Sequence, residues 1–111
     1  MLHAIVYFYP GVLAEIQFTE EPRDVTVIEG GTATFNCFYT GAFDVPTWVI
    51  SGSQYHTFNL PPRHSYSSRT LTVRDVQLSD NNMQYQCTFS TTESQIGTLY
   101  VRREDQSEFY V

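Results

Sequence analysis

Positive charge is scarce in this chain, and so are the groups that usually carry chemistry. Six Lys+Arg stand against twelve Asp+Glu over 111 residues, a formal net charge of −6. That balance favours solubility and argues against nucleic acid or heparin as a ligand. There are only two cysteines and three histidines, and His3, His56 and His64 sit far apart, so no metal-ligand spacing arises and no metal is expected. No nucleophile elbow, phosphate-cradling glycine loop or zinc motif occurs, and Asp44, Asp75 and Glu93 are isolated carboxylates. The expectation is therefore no enzyme, no catalytic residue, no cofactor and no small-molecule substrate. No Asn-x-Ser/Thr sequon is present, so N-glycans neither cover nor mark a face. The longest apolar run is far too short to span a membrane, and no repeat or low-complexity segment is found.

What the chain does have is aromatic, β-compatible sequence. Eight Tyr, eight Phe and one Trp supply large side chains suited to strands and contact surfaces. The length suits one domain with one core. Residues 32–39 alternate, placing Ala33, Phe35, Cys37 and Tyr39 on one side and Thr32, Thr34, Asn36 and Phe38 on the other. Residues 17–19 and 24–28 read as two short strands broken at Pro22, where a residue without an N–H is tolerated at an edge. Pro46 opens the next strand, with Trp48 and Ile50 inward and Thr47 and Val49 outward. Ser51-Gly52-Ser53 is a turn and residues 54–58 a further strand. Later strands are expected over 67–76, 84–89 and 95–101, with Leu71, Val73, Val76, Leu99 and Val101 facing in. Two cysteines in such a chain fit either a reduced cytosolic pair or one disulfide in an oxidising compartment.

The spacing of Cys37, Trp48 and Tyr85-Gln86-Cys87 resembles that of an immunoglobulin domain. The resemblance covers residues 16–101 and implies an all-β, antiparallel sandwich with Greek-key topology. It also implies an inter-sheet Cys37–Cys87 disulfide, with Trp48 packed against it, Leu71 as a core anchor and the Tyr85 hydroxyl tying the chain before the second cysteine. Closing a loop of about 50 residues stabilises such a fold by about 4 kcal/mol in the chain-entropy model. Only 23 positions separate Trp48 from Leu71. That favours a compact intermediate-type (I-set) domain over a full variable domain. One departure stands out. The family has Asp-x-Gly-x-Tyr-x-Cys where this chain places Asn81 and Met83, which leaves the family's salt bridge to an arginine in doubt unless Asp80 substitutes, with Arg63 or Arg69.

Residues 15–102 are then the immunoglobulin-like domain. Residues 1–14 read as a candidate signal peptide or disordered N-terminus, with an extra edge strand as the alternative, and residues 103–111 as an exit segment ending on Phe109-Tyr110-Val111. His56 and His64 read as plain surface residues. With no chemistry in view, function is assigned to a surface. In families of this kind the sheet of strands C, C′, F and G mediates contacts between cell-surface proteins. Here its outward positions are Val49, Tyr55, Gln86, Thr88, Ile96, Thr98 and Tyr100, with Phe43 in a neighbouring loop as a second candidate. The expected partner is a protein, homophilic or heterophilic, met outside the cell or at its surface. Membrane association would come only through an anchor beyond this chain.

Overall fold

The computed structural model describes residues 3–9, 12–42, 44–90 and 92–106. Its strands are β1 (His3–Tyr9), β2 (Val12–Glu20), β3 (Val25–Ile28), β4 (Ala33–Asn36), β5 (Phe38–Thr40), β6 (Thr47–Ile50), β7 (Ser53–His56), β8 (His64–Ser67), β9 (Thr70–Val73), β10 (Met83–Thr88) and β11 (Gly97–Arg102). One layer has the order β3-β11-β10-β6-β7, and the other is built from β1-β2-β5 and β4-β9-β8. β4 and β5 are a single alternating run that changes partner at Cys37. Before that residue it pairs with β9, and after it with β2. The Cys37 N–H, at the changeover, donates to the Arg69 carbonyl at 2.9 Å.

The inward positions named above are the core. Phe35, Cys37, Trp48, Leu71, Val73, Val76, Tyr85, Cys87 and Leu99 are each no more than 1% exposed. Removing side chains of this size from water contributes about 1.5–3 kcal/mol each. The Cys37–Cys87 disulfide spans the two layers with Cα atoms 6.4 Å apart. Trp48 is the register partner of Cys87, which sets its indole beside the cystine. Phe35 stacks on Tyr85 from the opposite layer, ring centroids 4.3 Å apart.

Two tight hairpins set register. Ser51 and Gly52 both have positive φ (47° and 89°), and Ser68 and Arg69 do likewise (53° and 63°), which is the turn geometry that matches strand twist. Pro22 is buried at the break between β2 and β3, where the chain passes to the other layer. Residues 3–9 pair with β2 as an outer strand.

The acid missing from the family motif is supplied one residue early. Asp80 closes a short 3-10 turn (Leu78–Asp80) and pairs with Arg63 at 2.9 and 3.1 Å. Asn81 and Asn82 absorb the shift. The Asn81 Oδ1 accepts from the Val101 N–H at 2.8 Å, and the Asn82 N–H donates to the Leu99 carbonyl at 2.7 Å with its own φ at 73°.

Candidate functional site

Register decides which side chains share the outer face of the five-stranded layer. Val49 stands opposite Gln86 on one side and Gln54 on the other, Thr88 opposite Thr47, Thr98 opposite Gln84, and Tyr100 beside Thr26. All point away from the core, because their chain neighbours Trp48, Ile50, Tyr85, Cys87, Leu99 and Val101 point into it. On this face Ile96 is 47% and Tyr100 41% exposed, while Val49, Thr88 and Thr98 are half-buried. Val49 and Ile96 border a shallow depression of about 160 Å³, floored by Gln84 and Gln86 and closed at one end by Ser51 and Gly52.

Some of the polar groups here are engaged within the domain. The Gln86 amide donates to the Ser94 carbonyl at 2.7 Å, the Gln84 N–H to the Ser51 hydroxyl at 3.1 Å, and the Thr98 N–H to the Asp24 carboxylate at 2.9 Å. The depression itself exposes mostly apolar area. The start of β11 is held tightly: a Cβ on Gly97 would lie 2.7–2.9 Å from the Arg23 backbone, so only glycine lets the two chains approach.

Two expected face residues stand differently. Tyr55 does not belong to the outer face. The two-residue turn at Ser51-Gly52 pairs it with Trp48, so it leans on the core side and packs against the hydrophobic cluster. Phe43 lies outside the described residues.

The histidine beside Arg63 also differs from expectation. His64 is half-buried rather than a plain surface residue, and both ring nitrogens are used. Nδ1 lies 2.9 Å from the Pro62 carbonyl and Nε2 2.8 Å from the Tyr85 hydroxyl. A carbonyl can only accept, so Nδ1–H donates to Pro62 and the neutral ring accepts the Tyr85 proton at Nε2. The Tyr85 hydroxyl is thus tied to a side chain of β8. Burial holds the His64 pKa below its ordinary value. The Arg63 guanidinium holds the Asp80 carboxyl below the usual carboxylate value. This network braces β8 against β10.

Sequence reasoning missed Phe58. Expected at the end of a strand, it sits instead in the turn after β7 and is 70% exposed. Among the described residues no group of His, Cys, Asp and Glu is placed to hold a metal ion, and no helix is long and apolar enough to cross a membrane.

Comparison with known proteins agrees with this geometry. The first domain of Duf (Kirre) superposes with a TM-score of 0.68 at 20% identity, over 79% of this chain and 97% of that one. The N-terminal Ig1-2 module of the Drosophila receptor protein tyrosine phosphatase DLAR gives 0.62 at 21%, over 78% and 45%. The titin domains Z1Z2, solved in complex with telethonin, give 0.59 at 29%, over 80% and 48%. The chain therefore spans a whole single-domain structure and about half of each two-domain one. No curated protein sequence matches it significantly. The immunoglobulin domain family matches residues 17–91, more than half of the chain, across the Cys37–Trp48–Cys87 framework described above, and the chain belongs to that family.

Proposed function

We propose that this domain is an extracellular protein-recognition module, of the adhesion or immune-receptor kind, that binds another protein through the outer face of β7, β6, β10 and β11. The observation that carries the reading is the grouping of Val49, Ile96 and Tyr100 on one face, Ile96 and Tyr100 being 47% and 41% exposed, beside a Gln86 amide already bonded to the Ser94 carbonyl. A partner covering that face buries the apolar area of Val49, Ile96 and Tyr100 and supplies hydrogen bonds to Gln84 and the Tyr100 hydroxyl. Tyrosine suits the task because it buries much area at low entropic cost. The disulfide fits an oxidising compartment.

A structural spacer within a multidomain array, extracellular or muscle-type, is the second reading, and the 29% identity to the titin pair favours it. Sedimentation of the oxidised chain over a concentration series, beside Tyr100→Ala, separates the two. Dimerisation that the variant abolishes supports a homophilic face. If both proteins remain monomeric, homophilic binding by this domain is excluded and a separate ligand or the spacer role remains.

A further inference from the structure

The turn after β7 presents an aromatic ring that the core does not use. Phe58 is 70% exposed, the most exposed of the large apolar side chains among the described residues. It is nonetheless held in place. The Phe58 N–H donates to the His56 Nδ1 at 3.2 Å, and the Asn59 N–H closes the turn on the His56 carbonyl at 2.8 Å. The Phe58 ring lies 5.8 Å from that of His56 and 6.3 Å from that of Tyr66. A ring braced on two sides has little freedom left to lose when a ligand stacks on it, so the entropic cost of binding there is small.

Beside Phe58 is an open depression of about 330 Å³, at the small end of the range for small-molecule sites. It exposes more polar than apolar surface, and Leu60 and Tyr66 on its walls are partly buried against the core. Hydrogen-bonding groups border it. Asn59 is exposed, and its carboxamide can both donate and accept. The Ser65 hydroxyl accepts from the Arg74 guanidinium at 3.1 Å, which leaves its proton to donate. With Nδ1 accepting, the neutral His56 ring carries its proton on Nε2, a further donor on an exposed side chain. Both ring nitrogens of His64 are engaged and Thr57 is 1% exposed, so neither is open to a ligand. Charge is balanced here, with Arg63 paired to Asp80 and Arg74 followed in the chain by Asp75.

An apolar anchor would need apolar walls, and an ionic ligand would need a surplus of one charge. A neutral sugar needs what this edge has. One side of a pyranose ring is a patch of C–H groups, slightly positive and attracted to the negative face of an aromatic ring, and its rim is a row of hydroxyls that donate and accept. We propose that Phe58, Asn59 and Ser65 form a binding site for a neutral pyranose residue of a glycan, which stacks on the Phe58 ring and is hydrogen-bonded by Asn59 and Ser65. His56 is a positioning residue that holds the turn and the ring. The site uses none of Val49, Ile96 or Tyr100 and is independent of the face proposed above.

The test is an amide chemical-shift titration of the full oxidised chain with lactose, maltotriose, mannobiose and N,N′-diacetylchitobiose, beside 3′-sialyllactose. Each sugar is carried to about 20 mM, since one stacked ring and a few hydrogen bonds are expected to bind at about millimolar strength. At least one neutral sugar should shift the amides of residues 56–60 and 64–66 and leave those of β10 and β11 unmoved. Phe58→Ala should weaken binding about tenfold and Asn59→Ala severalfold. Phe58→Leu keeps apolar area without a flat face and should bind as poorly as Phe58→Ala, whereas Phe58→Trp should bind as the parent does. These positions are exposed, so Tm and the spectrum away from the turn should match the parent's. Tyr100→Ala should bind sugar unchanged. No shift with any neutral sugar overturns the proposal, as does equal binding by Phe58→Ala or full binding by Phe58→Leu. Shifts produced by 3′-sialyllactose alone, and lost at about 300 mM salt, would overturn the choice of a neutral ligand.

Discussion

The two outer faces of the sandwich share one architecture and differ in what they present. On the β4-β9-β8 side the outward residues are Thr34, Asn36, Thr70, Thr72, Ser65 and Ser67, all small and polar. Several bond to one another or to neighbours, as in the Thr70 hydroxyl donating to the Asn36 Oδ1 at 2.9 Å. On the other side the same alternation presents Val49 and Tyr100, with Ile96 just before β11, set among Gln54, Gln84, Gln86, Thr88 and Thr98. Strand geometry dictates that alternate residues face out, but not what they are. A hydroxyl face is content in water, whereas exposed apolar side chains such as Ile96 and Tyr100 gain by being covered. Composition on equivalent positions of one fold is thus the best guide to which side meets a partner.

The largest expected effect removes what the two faces share. Replacing Cys37 and Cys87 together by Ala should cost about 4 kcal/mol from loop entropy alone, and urea unfolding would show both sides losing structure in one transition. Retention of a folded β4-β9-β8 side while the other melts would show that the layers are not one cooperative unit. Gly97→Ala comes next, at about 1–3 kcal/mol, because the new methyl meets the Arg23 backbone rather than a side chain that can move aside. Its readout is again the urea midpoint.

The comparison itself is sharpened by a matched pair. Tyr100→Ala should weaken partner binding or self-association about tenfold or more with stability changed by no more than about 0.5 kcal/mol, whereas Thr72→Ala should leave binding unaltered. An equal loss in both variants would remove the distinction between the faces.

The smallest effect is in pH. The native pKa of His64 lies below the ordinary value of 6.5, so on acidification the unfolded chain takes up a proton that the native ring refuses, and stability falls as pH drops through 6.5 toward the native value. His64→Gln should flatten that part of the curve. Asp80 acts lower. The stability that Arg63 confers by lowering its pKa is present above the ordinary carboxylate value and is lost as pH falls through the native one. Thermal melts between pH 7 and pH 3 would show both, and a profile that rises on acidification would contradict them.

Much of this was legible from one dimension because the governing rule is local. A period of two puts Ala33, Phe35 and Cys37 on one side whatever else happens, and Cys37, Trp48 and Cys87 mark the one place where two layers must be bridged. Burial of Leu71, Val73, Val76, Leu99 and Val101 follows in the same way. Tyr55 shows where parity stops being enough. Its side depends on the length of the Ser51-Gly52 turn, since one residue more or less would exchange its place with Gln54. The signal was present, because a two-residue turn pairs Ile50 with Ser53 and hence Trp48 with Tyr55, but it had to be counted across strands rather than along them.

The amino-acid order alone therefore determined the family, the core and the outward set on β6, β10 and β11, because each rests on alternation and on the spacing of a few large residues. Tertiary structure decided what depends on residues far apart in sequence: Asp80 with Arg63, and His64 with Tyr85. Those pairings span 17 and 21 positions. No local periodicity reaches that far, and only the closing of one layer on the other brings such groups within a hydrogen bond.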